Sequence, residues 1–258
     1  MPTPIDFMHV RLPLCDSTEV MAAIDAATPA RPVRIATINP EFMVEAQRNR
    51  AFAASLTGMS HCLIDGFGLY ATLQLWQSLS RTVFPLEHRP GADLVADLFR
   101  KYQTGEKRFF LLGGPLKLVE AAQKNILKTY PGCHIVGIAD GGVIDPKRIV
   151  VDPNLIEQIN ASQPDILLVG FGAPKQELWI EQARHVLPVP VMVGVGGTLG
   201  FYGSKKRAGR VVRRLKFEWL HRGITETGHW KRIWRATAVY LTLFSLWSSR
   251  QLLTGRKN

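Results

Sequence analysis

One aspartate stands where a catalytic carboxylate would be expected. Asp65 ends the apolar run 61–64 and is followed by Gly66 and Gly68. A carboxylate held partly out of water at the end of a strand can accept a proton from a substrate hydroxyl as a general base. The same position also suits a side chain that caps the following helix. The residues alone leave these two roles open.

Glycine-rich turns follow three other apolar runs. They are Gly113 and Gly114 after "RFFLL", Gly170 and Gly172 after "DILLV", and Gly196 and Gly197 after "VMVGV". Glycine lets a ligand or a second backbone come close, and backbone N–H groups at a helix start favour an anion. The turns therefore predict a site for a ligand that carries phosphate.

Two further polar side chains are candidates for ligand contact. Arg89, in "RPGADL", could meet negative charge on a ligand, although a surface ion pair would explain it too. Gln176 opens a predicted helix in "GAPKQELWI" and could bond a hydroxyl or phosphate oxygen. Glu177 beside it is expected to interact favourably with the helix dipole.

Several familiar sites are missing from the sequence. It has no GxxxxGK[ST], no GxGxxG and no Asp-x-Asp pair, which argues against a P-loop enzyme, a dinucleotide site and a metal-held diphosphate. Its three cysteines stand far apart without ligand spacing, which argues against a zinc site or a disulfide framework. We therefore expect neither a metal nor a cofactor.

Alternating elements must position these residues. From residue 33 to about 200, short apolar strands alternate with helical patterns, such as the helix that Asn39 would cap ahead of Pro40. This alternation predicts a doubly wound α/β domain with a mainly parallel, Rossmann-like sheet over residues 1–203. Ligands of such sheets bind at the carboxyl ends of the strands, where the residues above would meet.

The C-terminal segment 204–258 differs in composition. It holds 14 Lys and Arg against two acids, whereas the rest of the chain holds 18 bases and 19 acids. Its 14 uncharged residues between Arg235 and Arg250 are too few for the roughly 20 of a membrane span. Its interleaved aromatic residues indicate a helical appendage lying on an anionic membrane surface, or a helical pair packed on its own domain. These aromatic residues are Trp219, Trp230, Trp234, Tyr240 and Trp247.

The motifs "TINPEF", "IDGFGL", "RPGADL", "DILLVGFGAPKQELWI", "GVGGTLGFYG" and "FEWLHRG" occur in this order. In them the chain resembles the WecG/TagA/CpsF family of bacterial glycosyltransferases over nearly its whole length. The resemblance implies transfer of a sugar from a UDP-sugar to a polyprenyl-diphosphate-linked saccharide, with inversion and without a metal, in cell-surface polysaccharide synthesis. It also implies peripheral attachment to the cytoplasmic face of the membrane and a homo-oligomer.

The resemblance assigns roles to individual residues. Asp65 would be the base, with Thr37 and Asn39 beside the sugars, while Arg89 and Gln176 would bind substrate. The arginines that complete the site over the diphosphate would be Arg222, Arg232 and Arg235. Gly200 and Gly209 depart from the Asp and Pro usual in the family, so the sugar stays open between N-acetylmannosamine, its uronic acid and glucose.

A different class of function would also explain the tail. A non-catalytic module could bind nucleic acid or anionic lipid through the basic segment alone. That alternative leaves the polar, glycine-lined strand ends without a role. We therefore favour the enzyme, with no nucleic-acid partner. The N-terminus "MPTPIDFMHV" has no secretory pattern, which predicts a cytoplasmic protein.

Overall fold

The computed structural model describes residues 2–203 and 229–254. Its strands form a hairpin and a larger sheet in which every neighbouring pair is parallel. The hairpin consists of β1 (Ile5–Phe7) and β2 (Val10–Leu12). The larger sheet consists of β3 (Val33–Ile38), β4 (His61–Ile64), β5 (Arg108–Leu112), β6 (His134–Ala139), β7 (Ile166–Val169) and β8 (Val191–Gly194), in the order β4-β3-β8-β7-β5-β6.

Helices cover both faces of this sheet. One face carries the hairpin with α2 (Pro40–Ala46), α3 (Arg50–Thr57), α4 (Phe67–Ser80), α7 (Pro153–Ser162), α8 (Lys175–Ala183) and α10 (His229–Thr254). The other carries α1 (Ser17–Ala26), α5 (Gly91–Lys101), α6 (Leu116–Thr129) and α9 (Thr198–Gly203). Strand β5 shows how the sequence builds both layers: Phe109 and Leu111 enter one core, Phe110 and Leu112 the other. Such two-sided burial explains the continuous apolar strands, and the predicted doubly wound α/β fold is confirmed.

Local signals set several of the element boundaries. Asn39 accepts hydrogen bonds from the backbone of α2 ahead of Pro40, as predicted, and Asp152 caps α7 in the same way. The stretch after Pro40 is two helices rather than the one expected, because the Asn49 side chain accepts from Phe52 N and starts a new helix. The hairpin at the N-terminus is an addition that the sequence patterns did not indicate.

The C-terminal helix α10 packs on its own domain. Tyr240, Phe244 and Trp247 are buried, and the Trp247 ring lies against Phe7 and Trp76. The expectation that these aromatic side chains contact lipid is therefore wrong for Tyr240 and Trp247, because the core takes up their apolar surface. Searching the described residues for a helix able to cross a bilayer finds none.

The topology creates a crevice between two strands. The connection after β5 runs through α6 on one face to β6, whereas the connection after β7 runs through α8 on the opposite face to β8. Since β5 and β7 are neighbours, the two connections diverge to opposite faces at their carboxyl ends, and this switch point is where open parallel sheets bind ligands. The glycine turns after these two strands line this crevice.

Candidate active site

Asp65 is held at the start of a helix that is remote from it in sequence. Its Oδ1 accepts a hydrogen bond of 3.0 Å from the backbone N–H of Gly91, the first residue of α5. Capping of the following helix α4 was the other role left open for Asp65, and the N-cap residue of that helix is Gly66. The contact orients the side chain at a helix N-terminus, where a carboxylate is a favourable partner.

Thr37 lies next to this pair. A Cβ on Gly91 would stand 2.9 Å from Thr37 Oγ1, so only glycine lets α5 approach so closely. The Thr37 hydroxyl donates to the carbonyl oxygen of Gly194 at the end of β8, 3.1 Å away. The threonine is buried. Through its contacts with Gly91 and Gly194 it joins the Asp65 region to the turn after β8.

Asn39 is also brought to the same edge. A Cβ on Gly66 would stand 2.8 Å from the Asn39 Cβ, so the loops after β3 and β4 are in contact. The Asn39 side-chain oxygen accepts from Glu41 N and Phe42 N. Its oxygen is thus committed to the helix, while its amide hydrogens remain the groups with which it can bond a ligand. Asn39, Thr37 and Asp65 lie together as predicted from their strand-end positions.

The turns after β5 and β7 touch each other. A Cβ on Gly113 would stand 2.8 Å from the carbonyl carbon of Gly170, and Gly113 has a φ of 111°. Glycine is needed there for both reasons. These glycines therefore let two turns meet and form the wall of the crevice.

Gln176 is buried and makes hydrogen bonds to the protein from both ends of its carboxamide. Its Oε1 accepts from Gly172 N at 3.1 Å and from Gly196 N at 2.9 Å. Its Nε2 donates to Glu177 Oε1 at 2.6 Å. The predicted direct contact with a ligand is not what this geometry offers, because the carboxamide is already used in joining the turns after β7 and β8.

Glu177 is a fully buried acid in the first turn of α8. Burial raises its pKa to about 7, against the lowering effect of the hydrogen bond from Gln176. Its Oε2 is buried without a hydrogen-bond partner among the described residues. Glu177 lies in the first turn of α8, where the helix dipole favours an acid as expected, but α8 turns both Gln176 and Glu177 toward β8.

Unsatisfied backbone donors line this edge of the sheet. Within the described part of the chain, the amides of Gly114, Phe171 and Gly197 have no hydrogen-bond acceptor. The N-cap residues of helices α6 and α8 are Pro115 and Pro174, and neither helix start has a side-chain cap from the described residues. Free donors at helix starts attract anions, so the crevice can hold a phosphate group.

Arg89 points away from this edge. Its backbone N–H donates to Ile64 O at 2.8 Å, but its guanidinium pairs with Asp97, almost two turns along α5. There it lines an open cleft of about 590 Å³ between α1 and α5. The geometry matches the ion-pair alternative rather than the ligand contact. Arg222 lies outside the described residues, and Arg232 and Arg235 fall on α10 with side chains outside them.

The site residues occupy a row of five neighbouring strand ends. At about 4.8 Å per strand, Asp65 after β4 lies about 10 Å from the end of β8 and about 19 Å from the end of β5. A carboxylate at one end and anion-binding turns at the other could hold an elongated substrate with its reactive centre near Asp65. Among the described residues, no group of three His, Cys, Asp or Glu could hold a metal ion.

The packing roles of Gly91, Gly194 and Glu177 were not predicted from the sequence. Gly194 admits the buried pair, since a Cβ there would stand 2.9 Å from Gln176 Nε2. The burial of Gln176 could have been predicted, because Gln176 shares the apolar face of α8 with Ile180 and Ala183. No comparable pattern marks Gly91.

Comparison with known proteins gives consistent matches. The model of the glycosyl transferase WecG/TagA/CpsF family matches residues 5–257. An N-acetylglucosaminyldiphosphoundecaprenol N-acetyl-beta-D-mannosaminyltransferase of Staphylococcus aureus (strain NCTC 8325 / PS 47) is 32% identical over 225 residues, 86% of this chain and 83% of the relative. A protein of the same name from Bacillus spizizenii (strain ATCC 23059 / NRRL B-14472 / W23) is 33% identical over 201 residues, 77% and 74% of the two chains.

Proposed function

The chain belongs to the WecG/TagA/CpsF family of glycosyltransferases, and from this premise we propose that it transfers a sugar from a UDP-sugar to a polyprenyl-diphosphate-linked saccharide. The relatives from Staphylococcus and Bacillus are named for transfer of N-acetylmannosamine to N-acetylglucosaminyl-diphosphoundecaprenol. We extend that donor and acceptor to this chain as the first pair to test. N-acetylmannosaminuronic acid and glucose are the competing donor sugars.

The proposal rests on one observation: unsatisfied backbone N–H donors and the Asp65 carboxylate lie along the same edge of the sheet. The diphosphate would lie at the turns after β5, β7 and β8, near the amides of Gly114, Phe171 and Gly197. The sugar would then extend toward Thr37, Asn39 and Asp65. This orientation places the anion at the helix starts, where free N–H groups favour it, and the anomeric carbon near the carboxylate.

Asp65 would act as the base in an inverting displacement. The acceptor hydroxyl oxygen attacks the anomeric carbon from the face opposite UDP, and its proton passes to the Asp65 carboxylate. The bond from the anomeric carbon to the β-phosphate oxygen breaks, and its electron pair leaves with UDP. The hydrogen bond from Gly91 supports this role, because it orients the carboxylate before the acceptor arrives.

We further propose that the reaction needs no metal. Charge that develops on the leaving diphosphate would be met by the starts of α6 and α8 and by arginines of the C-terminal segment, such as Arg222, Arg232 and Arg235. Preorganised N–H donors stabilise such charge without rearranging. Arg89 would contribute through its backbone, by fixing the start of α5 beside Asp65.

A thermal-shift panel followed by a transfer assay tests these assignments. UDP-N-acetylmannosamine, its uronic acid and UDP-glucose are added separately, each with EDTA or with magnesium. We expect one sugar nucleotide to raise the melting temperature most and to support transfer to a short-chain lipid-diphosphate acceptor equally in both conditions. Transfer only with magnesium would refute the metal-free mechanism, and stabilisation by no UDP-sugar would refute the donor class.

A further inference from the structure

Gln176 and Glu177 form a buried hydrogen-bonded unit behind the glycine turns, here called the amide clamp. The clamp joins three pieces of backbone: Gly172 and Gly196 donate to the Gln176 oxygen, and Gly194 packs against both side chains. Both side chains of the clamp are almost fully buried. Neither side chain is therefore open to solvent.

The carboxamide oxygen fixes the distance between two turns that no strand hydrogen bond reaches. The β7–β8 ladder ends at Val169 and Gly194, and the bond from Val195 N to Val169 O closes it. Beyond that point the two turns could separate. A single oxygen accepting from both Gly172 and Gly196 holds their backbones within two hydrogen-bond lengths of each other.

Glu177 sets the orientation of the Gln176 carboxamide. The two ends of a glutamine amide are similar in shape, and only the oxygen can accept from the turns. Glu177 Oε1 accepts from Gln176 Nε2, which directs the opposite end of the amide toward Gly172 and Gly196. Without that acceptor, the buried NH₂ group would lose its partner and the amide its preferred orientation.

We propose that Gln176 and Glu177 are positioning residues, which set the spacing of the two glycine turns that bind the donor diphosphate. The proposal rests on the proposed function, because it takes those turns as the donor site. It replaces direct contact between Gln176 and the donor by an effect through the backbone. The clamp also joins Asp65 to the donor site, since Thr37 bonds Gly194 and packs on Gly91, the partner of Asp65.

Three substitutions that keep the approximate shape of the side chain distinguish a role in positioning the turns from a role only in stabilising the fold. Gln176→Met removes the acceptor for both turns, Glu177→Met removes the acceptor for the amide, and Glu177→Gln keeps an oxygen that can accept. Gln158→Met is the matched control, since Gln158 Nε2 also braces a backbone carbonyl, that of Ile138 on β6. Hydrogen exchange of peptides 170–177 and 194–200, the Kd for UDP and the melting temperature are measured for each full-length variant.

We expect both clamp methionine variants to exchange faster in both turns and to bind UDP about tenfold more weakly. Glu177→Gln and Gln158→Met should stay within about threefold of the wild type. Wild-type affinity for UDP in the methionine variants, together with faster exchange, would overturn the positioning role while leaving the proposed function intact. Failure of the wild-type protein to bind UDP would instead overturn the proposed function and this inference with it.

Discussion

Asp65 takes its setting from α5 rather than from the helix that follows it in the chain. Its position after β4 was visible in the sequence as an acid between an apolar run and glycines. Its partner Gly91 was not, because the contact spans 26 positions and depends on how α5 packs. The same holds for Thr37, whose bond to Gly194 spans 157 positions. Side-chain type and strand ends are local signals, whereas hydrogen-bond partners across the sheet edge are set by topology.

Asp65→Asn tests the base directly. Asparagine keeps an oxygen that can accept from Gly91 N but cannot take up a proton from the acceptor. We expect kcat to fall at least about a hundredfold while the Kd for UDP stays within about threefold. Transfer of a radiolabelled sugar and calorimetric UDP titration measure the two quantities.

Asp140→Asn is the matched control for this variant. Asp140 also follows a strand and precedes a glycine, but β6 lies at the far edge of the sheet from β4. It should retain near-wild-type turnover. Equal losses in the two variants, or near-normal turnover of Asp65→Asn, would remove Asp65 from the role of base.

Glu177 makes stability depend on pH. The folded state raises its pKa from 4.5 to about 7, so between these values the folded state binds more protons than the unfolded state. Stability therefore falls as pH rises through that window and stays at the lower level above it. The nearby Cys62 does not interfere, since burial raises the pKa of its thiol well above this range.

Glu177→Gln should remove this dependence. The free energy of unfolding of the wild type should fall by about 3 kcal/mol between pH 4.5 and 8 relative to the variant. Urea denaturation of both proteins across that range gives the difference. Parallel curves for the two proteins would show that Glu177 ionises as readily in the folded protein as in the unfolded one.

At the scale of elements, the parallel strands and most helices were predictable from apolar runs and caps. The hairpin of β1 and β2 was not, because its turn places Met8 and His9 at positive φ instead of the Asn-Gly or Gly pairs that mark such turns. The break between α2 and α3 was missed for a similar reason. Only Asn49 marks it, within a stretch whose composition suits one continuous helix.

The meeting of the turns after β5 and β7 gives a prediction about Gly113. Gly113→Ala places a Cβ 2.8 Å from the Gly170 carbonyl carbon at a φ of 111°, and should cost about 2–3 kcal/mol of unfolding free energy. Gly142→Ala is the control, because Gly142 has a φ of 68° but open space around its Cβ. It should cost only about 1 kcal/mol. Similar costs in denaturant titrations would show that the turns can move apart freely.

The docking of α10 gives a second prediction at this scale. Trp247 is buried between Phe7 and Trp76, so Trp247→Ala should cost about 3–5 kcal/mol. Leu253→Ala, on the exposed side of the same helix, should change stability by less than about 0.5 kcal/mol. Equal, small effects by chemical denaturation would mean that α10 is not part of the core in solution.

At the scale of the whole molecule, the packing of α10 changes what the basic C-terminal segment can be. The spacing of Tyr240, Phe244 and Trp247 along the helix suits a membrane surface and a protein core equally well. The outcome depends on whether the rest of the fold offers a matching apolar surface, and here α2 and α4 do so. We therefore propose that the charge of the segment, rather than these three side chains, would draw the protein to a membrane.

Membrane attachment should therefore follow the basic cluster Lys205, Lys206 and Arg207. Replacing all three by glutamine should weaken binding to anionic vesicles about a hundredfold, at about 1 kcal/mol per charge. Neutralising three exposed lysines elsewhere, Lys124, Lys128 and Lys147, gives a control with the same change in net charge. Co-sedimentation at low and physiological salt measures both, and duplex DNA in place of vesicles tests the alternative partner. Equal losses of vesicle binding in the two triple variants would mean that net charge, not this segment, holds the protein at the membrane surface. Because salt screens charges beyond about 10 Å, clustered charges should bind the membrane more strongly than the same number of charges spread over the domain.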